Sequence, residues 1–255
     1  MVNVLSRNKL AEGRNLLLLQ TPEMSKKTRP GQYVLIKRTE ASQSIPLFIG
    51  EKDKKGIGVI LDLNSPEGKL LGDLKKGSEL YCVTGPLGKP LRVGDIGNIC
   101  IIADAKGIGS AILISNAFRN FENKIYFIAS FASKKQRFWE QRIKKSADKF
   151  LVVTNKQDAL VNSTTSELHG LLRRKHMNLV VAVTDLPLLY KIAKATELRS
   201  RTLTMLLPPI GDDGIGMSSH CRFPYQNESR LSCIEGPPVD GHKVDWEALL
   251  ARRAW

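Results

Sequence analysis

The rhythm of apolar residues changes near residue 98, and this change constrains the fold more than any other feature of the chain. From there on, short apolar runs alternate with segments of helical length. Such alternation predicts parallel strands joined by crossover helices. The predicted strands are 99–103, 125–131, 150–154, 179–184 and 202–207, and the predicted helices are 108–121, 135–147, 166–174 and 186–196. This pattern predicts a five-stranded parallel nucleotide-type sheet with flanking helices over residues 97–208.

The first 96 residues follow a different pattern, in which short strand-like runs are separated by clusters of Gly, Pro, Lys and Asp. These runs are 15–20, 32–37, 44–49, 58–63 and 78–83. Short strands with turn residues between them predict a small antiparallel β-barrel over residues 1–96.

Residues 209–255 form a tail rich in Gly, Asp, Ser and Pro, with a predicted helix only at 246–253. A loop-rich segment of this length usually needs a metal, a cofactor or a partner to order it. We therefore expect the tail to pack on the rest of the chain or on another subunit.

Composition excludes several classes of protein. No run of about 18 apolar residues is present, which excludes a membrane-spanning helix. The first residues lack the apolar core of a signal peptide, so we expect a cytoplasmic location. Four cysteines in 255 residues are too few for a disulfide framework, which leaves thiols free for burial or for a metal.

The charge is strongly positive, because 39 Lys and Arg residues oppose 25 Asp and Glu residues for a formal net charge of +14. Such a balance favours nucleic acid, an anionic surface or an acidic protein partner. The basic residues occur in small scattered groups, with no RNA-binding aromatic signature and no zinc-finger spacing. We interpret these groups first as a solvated basic surface and second as a surface for an acidic partner subunit or an acidic redox protein. Both interpretations come before nucleic-acid binding.

Four segments, in order along the chain, resemble landmarks of the ferredoxin-NADP reductase superfamily. They are PGQYV at 30–34, IPL at 45–47, GPLGKP at 85–90 and DGHKVDW at 240–246. The resemblance extends over essentially the whole chain. It points to the branch that contains the dihydroorotate dehydrogenase electron-transfer subunit and the small subunit of NADH-dependent ferredoxin:NADP oxidoreductase. It implies FAD on the barrel, NAD(P) on the sheet and a [2Fe-2S] cluster in the tail of a subunit that works beside a larger redox partner.

The resemblance also implies which residues form each site. The implied FAD contacts are Gln32, Tyr33, Val34, Pro46, Leu47, Gly85, Pro86, Leu87 and Gly88. Gly107 and Gly109 belong to the implied dinucleotide loop. The implied cluster ligands are Asp213, Ser218, Cys221 and Cys233, with His220 as a substitute ligand. Asp213, His220, Cys221 and Cys233 are also zinc ligands by type, although their spacing matches no standard zinc module.

The flavin site departs from the pattern of this branch at positions that face the ligand. The branch typically has an Arg before Ile-Pro-Leu and a Thr after it, whereas this chain has Ser44 and Phe48. A cationic donor and a hydroxyl are therefore missing. The branch next has a turn at the head of a helix, whose backbone amides would hold the FAD diphosphate. In the corresponding residues 64–69, Pro66 removes an amide donor and Glu67 adds negative charge beside the diphosphate. We expect diphosphate binding to be weakened.

The dinucleotide and cluster sites depart in the same way. The expected glycine-rich loop contains Asp104, Ala105 and Lys106. After the fourth predicted strand, where the branch has a Gly-Pro pair, this chain has Thr184 and Asp185. Carboxylates there oppose an anionic ligand, so NAD(P)H binding is expected to be weak or absent. In the tail, Ser218 stands where a Cys is expected, and a serine hydroxyl is a poor iron ligand. Two inert, buried thiols are the simplest alternative for Cys221 and Cys233.

Two functions remain open from the sequence. The first is an electron-transfer flavoprotein-type subunit of an oxidoreductase complex, which fits the resemblance along the whole chain. The second is a non-catalytic structural or regulatory subunit descended from such a reductase, which fits the departures at the three sites.

Overall fold

The computed structural model describes residues 1–252, except for the side chains of residues 157 and 158. It confirms an antiparallel barrel sheet followed by a nucleotide-type α/β sheet. The last residue of the predicted helix 246–253 lies outside the described residues. Within them, no helix combines the length and the apolar character that crossing a membrane requires.

The barrel is a seven-stranded antiparallel sheet in the order β6-β1-β2-β5-β4-β3-β7. Its leucine, isoleucine and valine side chains alternate into one core, as the period of two requires. The strands are β1 Val2–Ala11, β2 Arg14–Gln20, β3 Tyr33–Lys37, β4 Ile45–Lys52, β5 Gly56–Asp62, β6 Glu79–Leu80 and β7 Cys82–Leu87. Two short helices, α1 Pro22–Lys27 and α2 Pro66–Leu71, connect them.

Two details of the barrel were not predicted from the sequence. Strand β1 was missed, because most of its side chains are half-buried or exposed and its alternation is weak. The predicted strand 78–83 divides into β6 and the start of β7, which pair with different neighbours.

The second sheet has the order β10-β9-β8-β11-β12-β15, and its first five strands are parallel. These are β8 Asn98–Asp104, β9 Lys124–Phe131, β10 Lys149–Thr154, β11 Leu179–Val183 and β12 Arg201–Met205. The helices α3 Ile108–Arg119 and α4 Glu140–Ser146 pack on one face, and α5 Gln157–Arg174 and α6 Leu186–Thr196 pack on the other. A 3₁₀ turn, Lys134–Gln136, precedes α4.

All five predicted parallel strands are present, and the sheet has a sixth strand that was not predicted. The tail supplies β15, Pro238–Asp240, which runs antiparallel to β12 at the sheet edge. A strand of three residues that include Pro and Asp shows no alternation of apolar and polar residues that would predict it from the sequence. It is recognised only by its pairing with β12.

The tail is more regular than its composition suggests. It contains a hairpin of β13 Arg222–Tyr225 and β14 Glu228–Leu231, then α7 Ser232–Glu235 and α8 Trp246–Leu250. Phe223, Tyr225 and Trp246 enter the same core as α5 and α6. The Trp246 indole donates a 2.8 Å hydrogen bond to the Gly241 carbonyl, which fixes α8 against the end of β15.

Strand order positions the main cleft. After β8 the chain first builds β9 and β10 on one side, and then β11 and β12 on the other. Loops leaving β8 and β11 therefore diverge, and the crevice between them is where open α/β sheets bind ligands.

Candidate functional site

A cleft of about 630 Å³ lies between the barrel and this crevice. The barrel side is formed by β4 and the start of α2, and the sheet side by the loops after β8 and β11. Its volume is within the range of small-molecule sites, about 300–1,000 Å³. Its walls combine an apolar barrel surface with several carboxylates, so the two ends of a ligand would meet different surroundings.

The apolar wall comes from β4, where Pro46, Leu47 and Phe48 line the cleft. Pro46 and Leu47 are two of the implied flavin contacts. The other implied contacts do not line this cleft. Gln32 is buried and donates a 3.0 Å hydrogen bond to the Gly88 carbonyl. Val34 packs in the barrel core, whereas the buried Tyr33 ring lies against the Gly88 turn.

The segment Gly85, Pro86, Leu87 and Gly88 lies beside the tail. The Lys89 amide donates a 2.7 Å hydrogen bond to the Gly236 carbonyl. A Cβ atom on Gly88 would lie 2.5 Å from Pro237, so the tail packs directly on this turn. A flavin role for these four residues stays a prediction.

A carboxylate occupies the cleft at the start of α2. Ser65 caps this helix by accepting a 3.2 Å hydrogen bond from the Gly68 amide, and Pro66 follows with no amide to offer. Glu67 Oε1 lies 3.8 Å from Lys106 Nζ, across the cleft. Its Oε2 is buried and has no hydrogen-bond partner within the described residues. A diphosphate placed here would meet a second negative charge, so the residues present do not fit the diphosphate of FAD.

The loop after β8 is closed by its own aspartate. Asp104 Oδ1 accepts hydrogen bonds of 2.9 Å from the amides of Lys106 and Gly107, and Oδ2 accepts one of 3.0 Å from the Asp185 amide. In dinucleotide-binding folds, backbone amides of this turn receive the phosphate. Here the Asp104 carboxylate uses these donors, so the loop does not fit a second anion.

The two implied glycines have packing roles in this loop. A Cβ atom on Gly107 would lie 1.9 Å from the Val183 carbonyl oxygen, at the end of β11. A Cβ atom on Gly109 would lie 2.6 Å from the Cα atom of Gly50 in β4. Both glycines therefore permit close approach of backbones, and Gly109 joins α3 to the barrel.

Burial and, to a lesser extent, the neighbouring Asp185 carboxylate raise the pKa of Asp104 to about 6, although the hydrogen bond from the Gly107 amide opposes the shift. Burial also raises the pKa of Asp185. Lys106 acts on both groups in the opposite direction. The cleft is thus lined by carboxylates that already resist ionisation, which makes it unfavourable for NAD(P) diphosphate.

A second group of polar side chains lies under the tail. The Sγ atoms of Cys221 and Cys233 are 2.6 Å apart, and both cysteines are buried and free. One carboxylate oxygen of Asp212 and both sulfur atoms lie within 4.8 Å of one another. Asp212 is fully buried. Asp212 was not predicted from the sequence as a site residue. The adjacent pair Asp212-Asp213 was the signal that could have identified it as a candidate.

Two of the implied cluster ligands point elsewhere. Asp213 caps its own loop, where Oδ1 accepts hydrogen bonds from the amides of Ile215 (2.9 Å) and Gly216 (2.8 Å), and Oδ2 accepts one from the Ser218 amide. His220 is exposed, and its Nδ1 lies 3.1 Å from the Gly211 carbonyl oxygen. The structure brings Cys221 and Cys233 together and adds Asp212 to them.

This donor set does not fit a [2Fe-2S] cluster. Such clusters take four ligands, usually four thiolates, or two thiolates and two imidazoles in Rieske-type centres. The described residues bring two thiols and one carboxylate to the site, and Ser218 stands at the remaining position. Burial raises the pKa of Cys221 and of Cys233, so neither thiol is held as a thiolate by the protein alone.

No protein-family model matches the chain. It is 28% identical, over 98% of its length and 90% of the relative, to the dihydroorotate dehydrogenase B (NAD(+)) electron transfer subunit homolog of Thermotoga maritima. It is 26% identical, over 100% of its length and 90% of the relative, to an uncharacterized protein encoded in the adh 3' region of Clostridium beijerinckii.

Solved structures show the same fold. The structure of an NADH-dependent reduced ferredoxin-NADP oxidoreductase, studied for flavin-based electron bifurcation, superposes with a TM-score of 0.88, at 24% identity over 99% of this chain and 92% of the other. Ferredoxin-NADP+ reductase from Plasmodium falciparum superposes with a TM-score of 0.63, at 12% identity over 80% of this chain and 95% of the other.

The chain therefore has the barrel-plus-sheet fold of ferredoxin-NADP reductases. Within that class it is a homologue of the dihydroorotate dehydrogenase B electron transfer subunit homolog, along nearly its whole length. The resemblance inferred from the four sequence motifs is confirmed.

Proposed function

We propose that the chain is an electron-transfer flavoprotein-type subunit of an oxidoreductase complex. It passes electrons between a pyridine nucleotide or a redox partner and a larger subunit. The observation that carries this proposal is the cleft at the strand-order reversal, with its apolar barrel wall, in a chain similar over 98% of its length to a protein named as an electron transfer subunit homolog.

The redox group proposed for this cleft is a flavin. The wall formed by Pro46, Leu47 and Phe48 suits an apolar aromatic ring. Glu67 opposes the diphosphate of FAD, so ring contacts must supply most of the binding free energy. NAD(P)H binds weakly or not at all on the sheet side, where Asp104 and Asp185 oppose its diphosphate.

The partner we propose is a larger redox subunit with an acidic face. The formal charge of +14 makes electrostatic attraction to such a face favourable, chiefly by speeding and orienting association. The dissociation constant of the complex between the two subunits should rise at least about tenfold between 50 mM and 500 mM salt, because salt screens exposed charges. A constant that does not change with salt would contradict an acidic interface.

A second candidate function is a non-catalytic structural or regulatory subunit. The specific observation in its favour is that Glu67 and Asp104 place carboxylates where diphosphates are expected, and Asp104 already satisfies the local amides. The fold persists around these positions, as a scaffolding role requires.

The test is the ultraviolet-visible spectrum of the chain purified anaerobically with its native partner. Flavin bands at the blue end of the visible range are expected, at near one flavin per chain. Phe48→Glu, which places a charge in the apolar wall, should abolish them. Tyr81→Glu, at an exposed position outside the cleft, should retain them. A colourless native complex would reject the electron-transfer function and leave the non-catalytic one.

A further inference from the structure

The group formed by Asp212, Cys221 and Cys233 points to a ligand that the reductase resemblance does not supply. Its three donor atoms come from three separate segments: the loop after β12, the residue before β13, and α7. All three side chains are buried, and none of them lines the cleft between the barrel and the sheet.

Charge is the first reason to expect a cation there. The Asp212 carboxylate is fully buried, and within residues 1–252 no lysine, arginine or histidine forms an ion pair with it. One oxygen accepts a 2.8 Å hydrogen bond from the Gly214 amide, and the other lies 3.5 Å from Ser218 Oγ. A buried carboxylate normally has a cationic partner or coordinates a metal.

An unpartnered hydroxyl is the second, independent reason. Tyr33 is fully buried in β3, and its hydroxyl has no hydrogen-bond partner within the described chain. A Cβ atom on Gly88 would lie 3.1 Å from the Tyr33 ring and 2.5 Å from Pro237, so the ring faces the part of the tail that follows α7. Buried hydroxyls are nearly always satisfied, so an unsatisfied one facing this part of the tail indicates a missing ligand.

We infer that Asp212, Cys221 and Cys233 bind a single zinc ion, in place of an iron-sulfur cluster. Two sulfur ligands and one carboxylate oxygen form a borderline-soft donor set that suits Zn²⁺ in tetrahedral coordination. The fourth position would be taken by Ser218 Oγ, the Tyr33 hydroxyl or water. Metal binding releases the two thiol protons to solvent, so the reaction balances with no oxidant or reductant.

The geometry needs one adjustment. Two thiolates bound tetrahedrally at about 2.3 Å from zinc lie about 3.8 Å apart. The two Sγ atoms here are 2.6 Å apart, which is closer than sulfur atoms pack without a bond. Separation of the two side chains would relieve that contact and open the coordination position.

Such an ion would have a structural role. It would tie the hairpin and α7 to the loop that precedes them, and hold all three against β3 of the barrel. The tail would then be fixed by the metal in addition to its contacts with β12. This role does not depend on the proposed electron-transfer function, and the tests of the two are separate.

The experiment uses the full chain, purified without chelator under reducing conditions. Elemental analysis should find about one zinc per chain, and removal of the metal should lower the melting temperature by at least about 5 °C. Anaerobic titration of the metal-free chain with Co²⁺ should give sulfur-to-cobalt charge-transfer absorption and the intense visible bands of a tetrahedral site.

Four variants, two of them controls, locate the ligands. Cys221→Ser and Asp212→Asn should each lose stoichiometric zinc and the cobalt charge-transfer band. Cys82→Ser, which changes a thiol on the barrel, should keep both. Loss of zinc in Asp213→Asn, with retention in Asp212→Asn, would overturn the assignment.

Three other results on the unmodified chain would also overturn the proposal. They are iron with stoichiometric inorganic sulfide, a Cys221-Cys233 disulfide that persists in reductant, and a reduced chain that binds neither zinc nor Co²⁺. Each is measured without any variant, so a variant that fails to fold does not affect them.

Discussion

The amide of Asp185, just after β11, donates a 3.0 Å hydrogen bond to Oδ2 of Asp104, at the end of β8. This bond spans the gap between two parallel strands at the place where open α/β sheets bind ligands. Asp104 thereby does within the chain what a bound phosphate does in dinucleotide-binding proteins. The relationship explains why the loop can keep its backbone shape although Ala105 and Lys106 stand where glycines are expected.

The first prediction concerns Asp104 and pH. Its pKa of about 6 in the folded chain exceeds the usual value near 3.9, so the folded state holds this proton more tightly than the unfolded state. The resulting stabilisation is complete below about pH 4 and is lost as the pH rises through 6. Relative to Asp104→Asn, the wild-type free energy of unfolding should fall by an amount on the order of 2 kcal/mol between pH 4 and 7. Urea denaturation at both pH values measures it, and an unchanged difference would contradict the prediction.

The second prediction concerns NADH. The dissociation constant for NADH should be larger than about 1 mM, because Asp104 and Asp185 oppose the NADH diphosphate. Asp104→Gly with Asp185→Gly should tighten binding at least about tenfold, since the change removes two carboxylates and frees the loop amides. Glu197→Gln, an exposed change on the surface, should have no effect. Isothermal titration calorimetry measures all three, and low-micromolar affinity of the wild type would be the contrary result.

The third prediction tests close packing of the loop on β11. Gly107→Ala should lower the free energy of unfolding by about 3 kcal/mol or more, because the new Cβ atom would fall 1.9 Å from the Val183 carbonyl oxygen. Gly94→Ala is the matched control, since its Cβ atom would meet nothing within 4 Å. Its effect should stay within about 0.5 kcal/mol. Equal melting temperatures for the two variants would refute the packing argument.

The fourth prediction compares two ion pairs of equal length. Arg14 and Asp62 lie 2.5 Å apart with side chains about 10% exposed (9% and 12%), whereas Arg38 and Asp73 lie 2.5 Å apart with side chains 42% and 62% exposed. Asp62→Asn leaves a buried guanidinium without its counter-charge and should cost about 3 kcal/mol. Asp73→Asn should cost about 0–1 kcal/mol, because solvent screens that pair. Chemical denaturation at pH 7 gives both values, and similar losses would show that burial does not control them.

The candidate sites were only partly predictable. Asp104, Asp185 and Glu67 were recognised as unfavourable for diphosphates from the residue types alone. The sequence did not reveal that the Asp104 carboxylate bonds the loop amides, because those bonds depend on the backbone path from β8 into α3. In the tail, Cys221 and Cys233 were identified, but the choice between Asp212 and Asp213 depended on which carboxylate the loop turns inward.

Local patterns along the chain determined the two sheet types and the alternation of strands and helices from residue 98 to 207, because period-two and helical apolar spacing reflect which face of each segment must be buried. Tertiary structure decided three things: β15 joining β12, the closing of the dinucleotide loop by Asp104, and the meeting of Asp212 with Cys221 and Cys233. Each depends on contacts between residues distant along the chain or on the backbone path of a loop. Such contacts leave no periodic pattern in the sequence, because a single side chain's partner is set by where the folded backbone brings it.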